Sequence, residues 1–172
     1  ILNSIQGMVS EGEIEQVNTY ISKFSKFMRR TLNMSKQELV GITEEIENTM
    51  QYTELEKLRF IDSVQFEFSI DIKDQNILVP PMIIQPLIEN AIKHGIMPKL
   101  TNLGKIKVTI REHERCLIIQ VEDDGIGFPS DNLPNGDGLR ITKERLEVIS
   151  PLNELKVINQ VNPTIVQIKY MK

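Results

Sequence analysis

The sequence predicts an α+β fold, in which a mixed β-sheet is covered by helices on one face and follows an antiparallel helical hairpin. Helical periodicity in the first third of the 172 residues predicts the hairpin. Short strand-like segments then pair across turns, with helices between only some of them, which predicts strands running in both directions. We therefore expect a hairpin over residues 1–61 and an α+β domain over residues 62–172.

The first helix carries apolar residues three and four positions apart, a seam with coiled-coil character. The seam consists of Ile14, Val17, Ile21, Phe24 and Met28. A polar break over residues 33–41 precedes a second helix, which we expect Thr43 to cap and which should end near Phe60. Glu44 and Glu45 suit the positive end of its dipole. Because a hairpin of this size cannot bury the seam alone, the seam should contact the following domain or a second hairpin.

The second part contains five predicted strands and two predicted helices. The strands cover residues 64–70, 106–110, 117–122, 155–161 and 165–171, and the helices cover residues 82–94 and 139–149. Pro80 and Pro81 end an extended segment before the first of these helices. Residues 131–138 are rich in Asn, Asp, Pro and Gly, which predicts a mobile loop.

Composition argues against several classes of function. The net charge of −4 and the pI near 5.3 disfavour a nucleic-acid-binding protein, which usually carries a basic excess. The single cysteine, Cys116, rules out an internal disulfide, so a reducing compartment is expected. No apolar stretch reaches the length of a membrane span. Because the sequence opens with Ile1 rather than Met, we interpret it as part of a longer protein.

A first polar segment, residues 89–95, reads Glu-Asn-Ala-Ile-Lys-His-Gly. On a helix Glu89 and Lys93 share one face, and Asn90 and His94 lie on the adjoining face. A carboxylate, an amide oxygen and an ammonium group side by side suit hydrated magnesium with phosphates, because magnesium takes few protein ligands. An ordinary helix end with a Glu–Lys pair explains the segment equally well.

A second segment, residues 123–127, follows an apolar strand and reads Asp-Asp-Gly-Ile-Gly. A carboxylate at the end of a buried strand is costly unless a partner satisfies it. Gly125 and Gly127 let the backbone approach a planar ligand, and the carboxylate of Asp123 could accept a hydrogen bond from the exocyclic amine of adenine. A tight Asp-Gly turn is the alternative and, for this segment alone, the better explanation.

A third segment joins the predicted loop to the last helix and reads Gly136-Asp137-Gly138-Leu139. Free backbone N–H groups at a helix N-terminus bind phosphate, and glycines expose them. The alternative is an ordinary loop with glycines near a helix start.

The order of the three segments is more specific than any one of them. Asn-x-x-x-His-Gly, Asp-x-Gly-x-Gly and Gly-x-Gly-Leu resemble the N, G1 and G2 boxes of the GHKL ATPases, the superfamily of gyrase, the Hsp90 chaperones, histidine kinases and MutL. The resemblance implies a Bergerat-type α/β sandwich with a flexible lid over ATP. Residues 52–60 and 79–95, and residues 138–139 followed by 143–146, look like the LytS-like sensor histidine kinases, and the match covers nearly the whole chain.

The resemblance implies roles for individual residues. Asn90 would coordinate Mg²⁺, Lys93 would contact phosphate, and Glu89 is a candidate to polarise the attacking group. Asp123 would accept from the adenine amine, with Thr164 assisting through water. The expected cofactor-binding set also includes His94, Gly125, Gly127, Gly136, Gly138 and Leu139, in which the glycines shape the pocket and lid.

The resemblance also implies a reaction and partners. The γ-phosphate of ATP would pass to a histidine just upstream of this chain and then to a response-regulator receiver domain. We expect a homodimer through the hairpin, which carries the dimerisation role over residues 1–61, and no nucleic acid. The chain would be a cytoplasmic domain of a bacterial inner-membrane protein, contacting the membrane only through N-terminal segments of its parent.

The sequence departs from the family pattern at three places. The Asn-Pro-His-Phe-type acceptor motif is absent, and neither His94 nor His113 suits the acceptor role. Pro163 stands where family members usually have Gly, and Ile141 where they have Asn. Two other functions therefore stay open: a nucleotide-binding and dimerisation module without kinase activity, and a GHKL hydrolase of the MutL or gyrase type.

Overall fold

The structure is a computed structural model that describes residues 6–7, 9–10, 14–60, 63–99, 103–127, 137–159 and 163–172. Its helices are α1 (Ile14–Met34), α2 (Ile42–Phe60), α3 (Gln85–Asn90) and α4 (Asp137–Ile149), and a π-helical segment (Ala91–Ile96) continues α3. Its strands are β1 (Val40–Gly41), β2 (Val64–Asp71), β3 (Leu78–Val79), β4 (Gly104–Glu112), β5 (Cys116–Asp123), β6 (Glu154–Asn159) and β7 (Thr164–Met171).

Five of the strands form one mixed sheet in the order β2-β4-β5-β7-β6. β2 runs parallel to β4, and the other neighbours are antiparallel. Every second residue of β5 and β7 is buried, as expected for strands with one face against a core. That core includes apolar side chains from α3 and α4, so helices cover the buried face. The predicted α+β fold with a mixed sheet is confirmed.

Helices α1 and α2 form the predicted antiparallel hairpin. Residues late in α1 contact residues early in α2, and earlier residues of α1 contact later ones of α2. Arg30 donates to Glu47 at 2.7 Å, and Lys23 lies 3.8 Å from Glu54. A buried cluster of Val17, Tyr20, Phe27 and Leu55 fills the space between the helices, with Phe24 and Met28 packed against it.

The predicted seam divides into two parts. Val17, Phe24 and Met28 face α2, whereas Ile14 is 69% exposed and Ile21 is 44% exposed. The hairpin therefore buries part of the seam within its own chain and leaves two isoleucines on the surface.

A two-stranded sheet that the sequence did not predict ties the hairpin to the rest of the chain. β1 pairs antiparallel with β3, with Val40 opposite Val79. α2 begins at Ile42, whose N–H donates to the carbonyl of Ile77 at 2.8 Å. The prediction that Thr43 caps this helix is wrong, because Thr43 lies within its first turn.

The main hydrophobic core extends across the expected boundary at residues 61–62. Met34, Val40, Ile42 and Ile46 belong to the same buried cluster as the apolar side chains of the five-stranded sheet. The division into residues 1–61 and 62–172 stays a prediction, and the two parts share a core on this side of the hairpin.

Candidate functional site

The end of β5 carries a buried carboxylate with spare capacity to accept hydrogen bonds. Asp123 is only 3% exposed, and its Oδ1 accepts from the N–H of Gly125 at 2.9 Å. Burial raises the pKa of Asp123 to about 6, and the hydrogen bond from Gly125 opposes this shift only in part. Because a carboxylate has about four acceptor positions, Asp123 can accept from a further donor.

The adjacent carboxylate has a different environment. Asp124 lies 3.0 Å from the ammonium group of Lys99, and its Oδ1 accepts from the N–H of Lys105 at 2.8 Å. Burial raises the pKa of Asp124, but the hydrogen bonds from Lys105 and Lys99 outweigh it and hold the pKa below its usual value. Both oxygens of Asp124 therefore have a partner within the chain, whereas Asp123 keeps more of its acceptor capacity for a ligand.

A buried hydroxyl lies next to Asp123. Thr164 is its register partner on β7 and is 2% exposed. Thr164 helps to lower the pKa of Asp123, yet within the described part of the chain its Oγ1 has no hydrogen-bond partner of good geometry. A buried hydroxyl without a hydrogen-bond partner destabilises the folded state. A hydrogen bond to a ligand or to a water molecule would remove this cost.

Glycines bring the π-helical segment close to the end of β5. A methyl group on Gly95 would collide with the carboxylate of Asp123, and one on Gly125 would collide with the backbone of Gly95. The N–H of Ile126 donates to the carbonyl of Gly95 at 3.1 Å. Sequence reasoning gave Gly95 no role, although a glycine within a helical segment is a signal of close approach. Gly127 has a φ of 88°, a conformation that favours glycine.

The helix that carries the first polar segment differs from the prediction. It begins at Gln85 rather than at residue 82, because Met82 has a left-handed φ of 58°. From Ala91 onward it is π-helical, a geometry often found at functional sites. The prediction of an α-helix as far as His94 is therefore wrong beyond Asn90, but Glu89 and Lys93 still line the same groove.

The side chains of this segment differ in their exposure. Asn90 is 8% exposed, and its side chain makes no hydrogen bond to another described residue. Lys93 and His94 are exposed. Glu89 accepts from the amide of Gln85 at 2.6 Å and, together with Lys93, lines a groove of about 530 Å³ whose opposite wall is the hairpin.

The third segment begins α4. A methyl group on Gly138 would lie 3.7 Å from Cβ of Pro86, an ordinary contact, so packing alone does not require glycine there. Leu139 is 2% exposed and belongs to the hydrophobic core, where it anchors the start of α4. Gly136 lies outside the described residues.

The two departures within the described residues lie on the surface of α4 and directly before β7. Ile141 is 45% exposed on α4. The carbonyl of Pro163 accepts from the side chain of Asn159 at 2.8 Å, next to Thr164.

These residues fit an adenine nucleotide with magnesium. Asp123 offers an acceptor to an amine, and Thr164 offers an unpaired hydroxyl to a water molecule. Gly95 and Gly125 keep side chains out of the space beside them. No group of three or more His, Cys, Asp or Glu residues in the described ranges could hold a metal ion. Magnesium would therefore need phosphate oxygens and water in addition to Asn90.

Comparisons with known proteins agree with the resemblance. The histidine kinase family model matches residues 1–64, and the model for histidine kinase-, DNA gyrase B- and HSP90-like ATPases matches residues 75–154. The chain belongs to the histidine kinase family. Within this family it is similar to the sensor protein LytS of Staphylococcus epidermidis, with 32% identity over 77% of this chain and 22% of that protein.

Two further relatives are sensor histidine kinases. BtsS of Escherichia coli is 30% identical over 84% of this chain and 25% of that protein, and YesM of Bacillus subtilis is 28% identical over 86% of this chain and 26% of that protein. The histidine kinase domain thus spans about a quarter or less of the relatives it matches.

Solved structures support the same fold. The histidine kinase AdeS of Acinetobacter baumannii superposes with a TM-score of 0.59 and 18% identity over 99% of this chain and 92% of that one. The catalytic domain of histidine kinase ThkA gives a TM-score of 0.59 and 19% identity over 78% of this chain and 94% of that one. In the part of this kinase domain that the structure describes, no helix has the length and apolar character needed to cross a membrane.

Proposed function

We propose that this domain binds ATP with magnesium and transfers the γ-phosphate to a histidine upstream of this chain, from which the phosphate passes to a response-regulator receiver domain. The observation that carries the proposal is the buried carboxylate of Asp123, which has spare acceptor capacity beside the unpaired hydroxyl of Thr164 in a histidine kinase chain. A relative, ThkA, has been solved in complex with the response regulator TrrA.

Adenine recognition would fall to Asp123 and Thr164. The carboxylate would accept from the exocyclic amine, and the hydroxyl of Thr164 would hold a water molecule at the ring edge. Gly125 and Gly127 would let the backbone approach the ring. Asp124 would act only as a structural support, because Lys99 and Lys105 already occupy its oxygens.

Phosphate binding would fall to the segment after α3 and to the start of α4. Asn90 would hold magnesium, Lys93 and His94 would contact phosphate, and Gly136 and Gly138 would present backbone N–H groups. Bound magnesium would neutralise phosphate charge during transfer. These residues would mainly orient the phosphates, since positioning supplies much of the catalysis in phosphoryl transfer.

Glu89 would polarise the attacking imidazole. The support for this role is its place in the groove between α3 and the hairpin, where Lys93 lines the same wall. The hairpin would also form the homodimer, with the exposed Ile14 and Ile21 as part of the interface. In its parent, the domain would lie on the cytoplasmic side of a bacterial inner membrane.

Calorimetry with ADP and magnesium tests nucleotide binding. Asp123→Asn should weaken binding roughly ten- to hundredfold, because a hydrogen bond to a charged group contributes about 1.5–3 kcal/mol. Asp124→Asn is the matched control and should change affinity far less. If the wild-type chain and Asp123→Asn bind ADP with equal affinity, Asp123 does not contact the nucleotide.

Phosphotransfer is tested separately, with γ-labelled ATP and a supplied helical segment that carries the acceptor histidine. Label on that histidine supports the kinase. Steady ATP hydrolysis without transfer would instead indicate a hydrolase, and nucleotide binding with neither reaction would indicate a regulatory module.

A further inference from the structure

A buried carboxylate outside the candidate site connects the hairpin to the helix that carries Asn90. Glu45 lies on α2 and is fully buried at 0% exposed. Its Oε2 accepts from the N–H of Met82 at 2.7 Å, and its Oε1 accepts from the N–H of Ile84 at 3.0 Å. Both oxygens of one side chain thus bind the backbone of a segment 37 to 39 residues further along the chain.

The segment that Glu45 holds is the start of α3. Ile84 is the N-cap residue directly before α3, and its own side chain provides no cap. Met82 has a φ of 58°, which is strained for a residue with a side chain. The carboxylate of Glu45 stabilises this conformation by accepting from the N–H of Met82 itself. It therefore fixes the point from which α3 and the π-helical segment extend toward Asn90 and Lys93.

Burial at this position is costly for a carboxylate and is only partly compensated. Burial raises the pKa of Glu45, whereas hydrogen bonds from the backbone at Ile84, Met82 and Ile83 and the charge of Arg145 on α4 lower it. An uncharged side chain would be cheaper to bury. The carboxylate supplies two acceptor oxygens, one for each N–H, whereas an amide side chain has a single acceptor oxygen.

We propose that Glu45 is a positioning residue, through which α2 sets the placement of Asn90 and hence the magnesium-dependent part of nucleotide binding. The inference rests on the proposed function. Glu45 acts on the nucleotide only through the backbone at Met82 and Ile84. Adenine recognition by Asp123 should depend less on this connection, because Asp123 is itself part of β5.

The difference between these two parts of the site defines the experiment. The affinity of the 172-residue chain for ADP is measured with excess magnesium and with a chelator, and the ratio of the two affinities is the magnesium gain. In Glu45→Gln one backbone N–H loses its acceptor. The magnesium gain should fall by about tenfold or more, as when groups that orient a metal ligand are removed, while affinity without magnesium stays near that of the wild type.

Two further variants separate positioning from stability. Glu47→Gln removes a carboxylate from the exposed side of the same helix, where it contacts Arg30, and should leave the magnesium gain unchanged. Met82→Gly, added to Glu45→Gln, relieves the positive φ and should raise the unfolding temperature without restoring the missing acceptor. The magnesium gain should therefore stay low in the double variant even as its stability recovers.

The outcomes distinguish this inference from the proposed function. If Glu45→Gln keeps the magnesium gain of the wild type, the inference is overturned and the proposed function is not affected. A gain that returns with stability in the double variant would also overturn it, because Glu45 would then act only on folding. A wild-type chain that does not bind ADP, or binds it without regard to magnesium, would overturn the proposed site and this inference together.

Discussion

Asp123 and Thr164 face each other across β5 and β7, so that a buried carboxylate lies beside a buried hydroxyl at one end of the sheet. The structure gives the carboxylate one backbone donor, from Gly125, and among described residues gives the hydroxyl no well-oriented partner. Burying two polar groups that make few hydrogen bonds reduces the free energy of unfolding. Their presence together is the reason that we expect a ligand with polar edges at this position.

The cost of burying Asp123 predicts that Asp123→Asn stabilises the domain at neutral pH. Its pKa in the folded state is about 6, above the ordinary value of 3.8. The folded state therefore binds the proton more tightly, and this contribution is present below about pH 4 and is lost as the pH rises through about 6. At pH 7.5 the variant should be more stable by up to about 3 kcal/mol.

Urea unfolding at pH 4 and pH 7.5 measures this effect. The stability difference between Asp123→Asn and the wild type should be larger at pH 7.5 than at pH 4. A variant that is less stable than the wild type at pH 7.5 would show that the carboxylate has stabilising partners that the structure does not include.

Nucleotide affinity should depend on the ionisation of the same residue. An adenine amine donates to the carboxylate, so protonation of Asp123 below about pH 6 should weaken binding in the wild type. The nucleotide phosphates also titrate in this range, and the ratio of wild-type to Asp123→Asn affinity cancels their effect. Calorimetry from pH 5 to pH 8 should show this ratio falling toward acid pH, and a constant ratio would contradict the prediction.

Gly95 should tolerate no side chain. Gly95→Ala places a methyl group against the carboxylate of Asp123, and such overpacking typically costs about 1–3 kcal/mol. We expect both lower stability and weaker ADP binding, since the end of β5 must shift. Gly41→Ala is the control, because nothing lies within 4 Å of the added methyl group. If the two variants bind ADP equally well, the contact between Gly95 and Asp123 has no role in the site.

The parts of this structure that the sequence predicted are those with strong local patterns. Alternating apolar residues predicted β2 and β7, and the order of the three polar segments predicted the family. The β1–β3 pair was missed because two-residue strands carry no periodicity. The π-helical segment was missed because apolar periodicity does not distinguish it from an α-helix, and its close approach to Asp123 at Gly95 joins residues far apart in the sequence. The link from Glu45 to Met82 was missed for the same reason.

The exposed part of the seam should form a homodimer interface. Ile21 is 44% exposed on α1, on the same helix as the more exposed Ile14. Ile21→Glu should weaken the dimer by at least about 1.4 kcal/mol, or tenfold in Kd, because a charge would be buried between apolar side chains. Ser22→Glu adds the same charge at the next position and should have a smaller effect. Sedimentation over a concentration series measures both, and a wild-type chain that stays monomeric at high concentration would contradict the prediction.

The last prediction concerns the two histidines of the chain. His94 lies on the π-helical segment beside the proposed phosphate site, and the N–H of His113 donates to the carbonyl of Cys116 in the turn between β4 and β5. Neither residue lies on α1 or α2, whose side chains form one wall of the groove lined by Glu89 and Lys93.

Transfer to histidine requires the imidazole to lie in line with the leaving oxygen. We therefore expect no acid-labile, alkali-stable label on the 172-residue chain after incubation with γ-labelled ATP, while a supplied helix that carries the acceptor histidine is labelled in the same mixture. Label on the chain itself would contradict this. Its loss in His94→Gln or in His113→Gln would then identify the acceptor and require a different approach to the γ-phosphate.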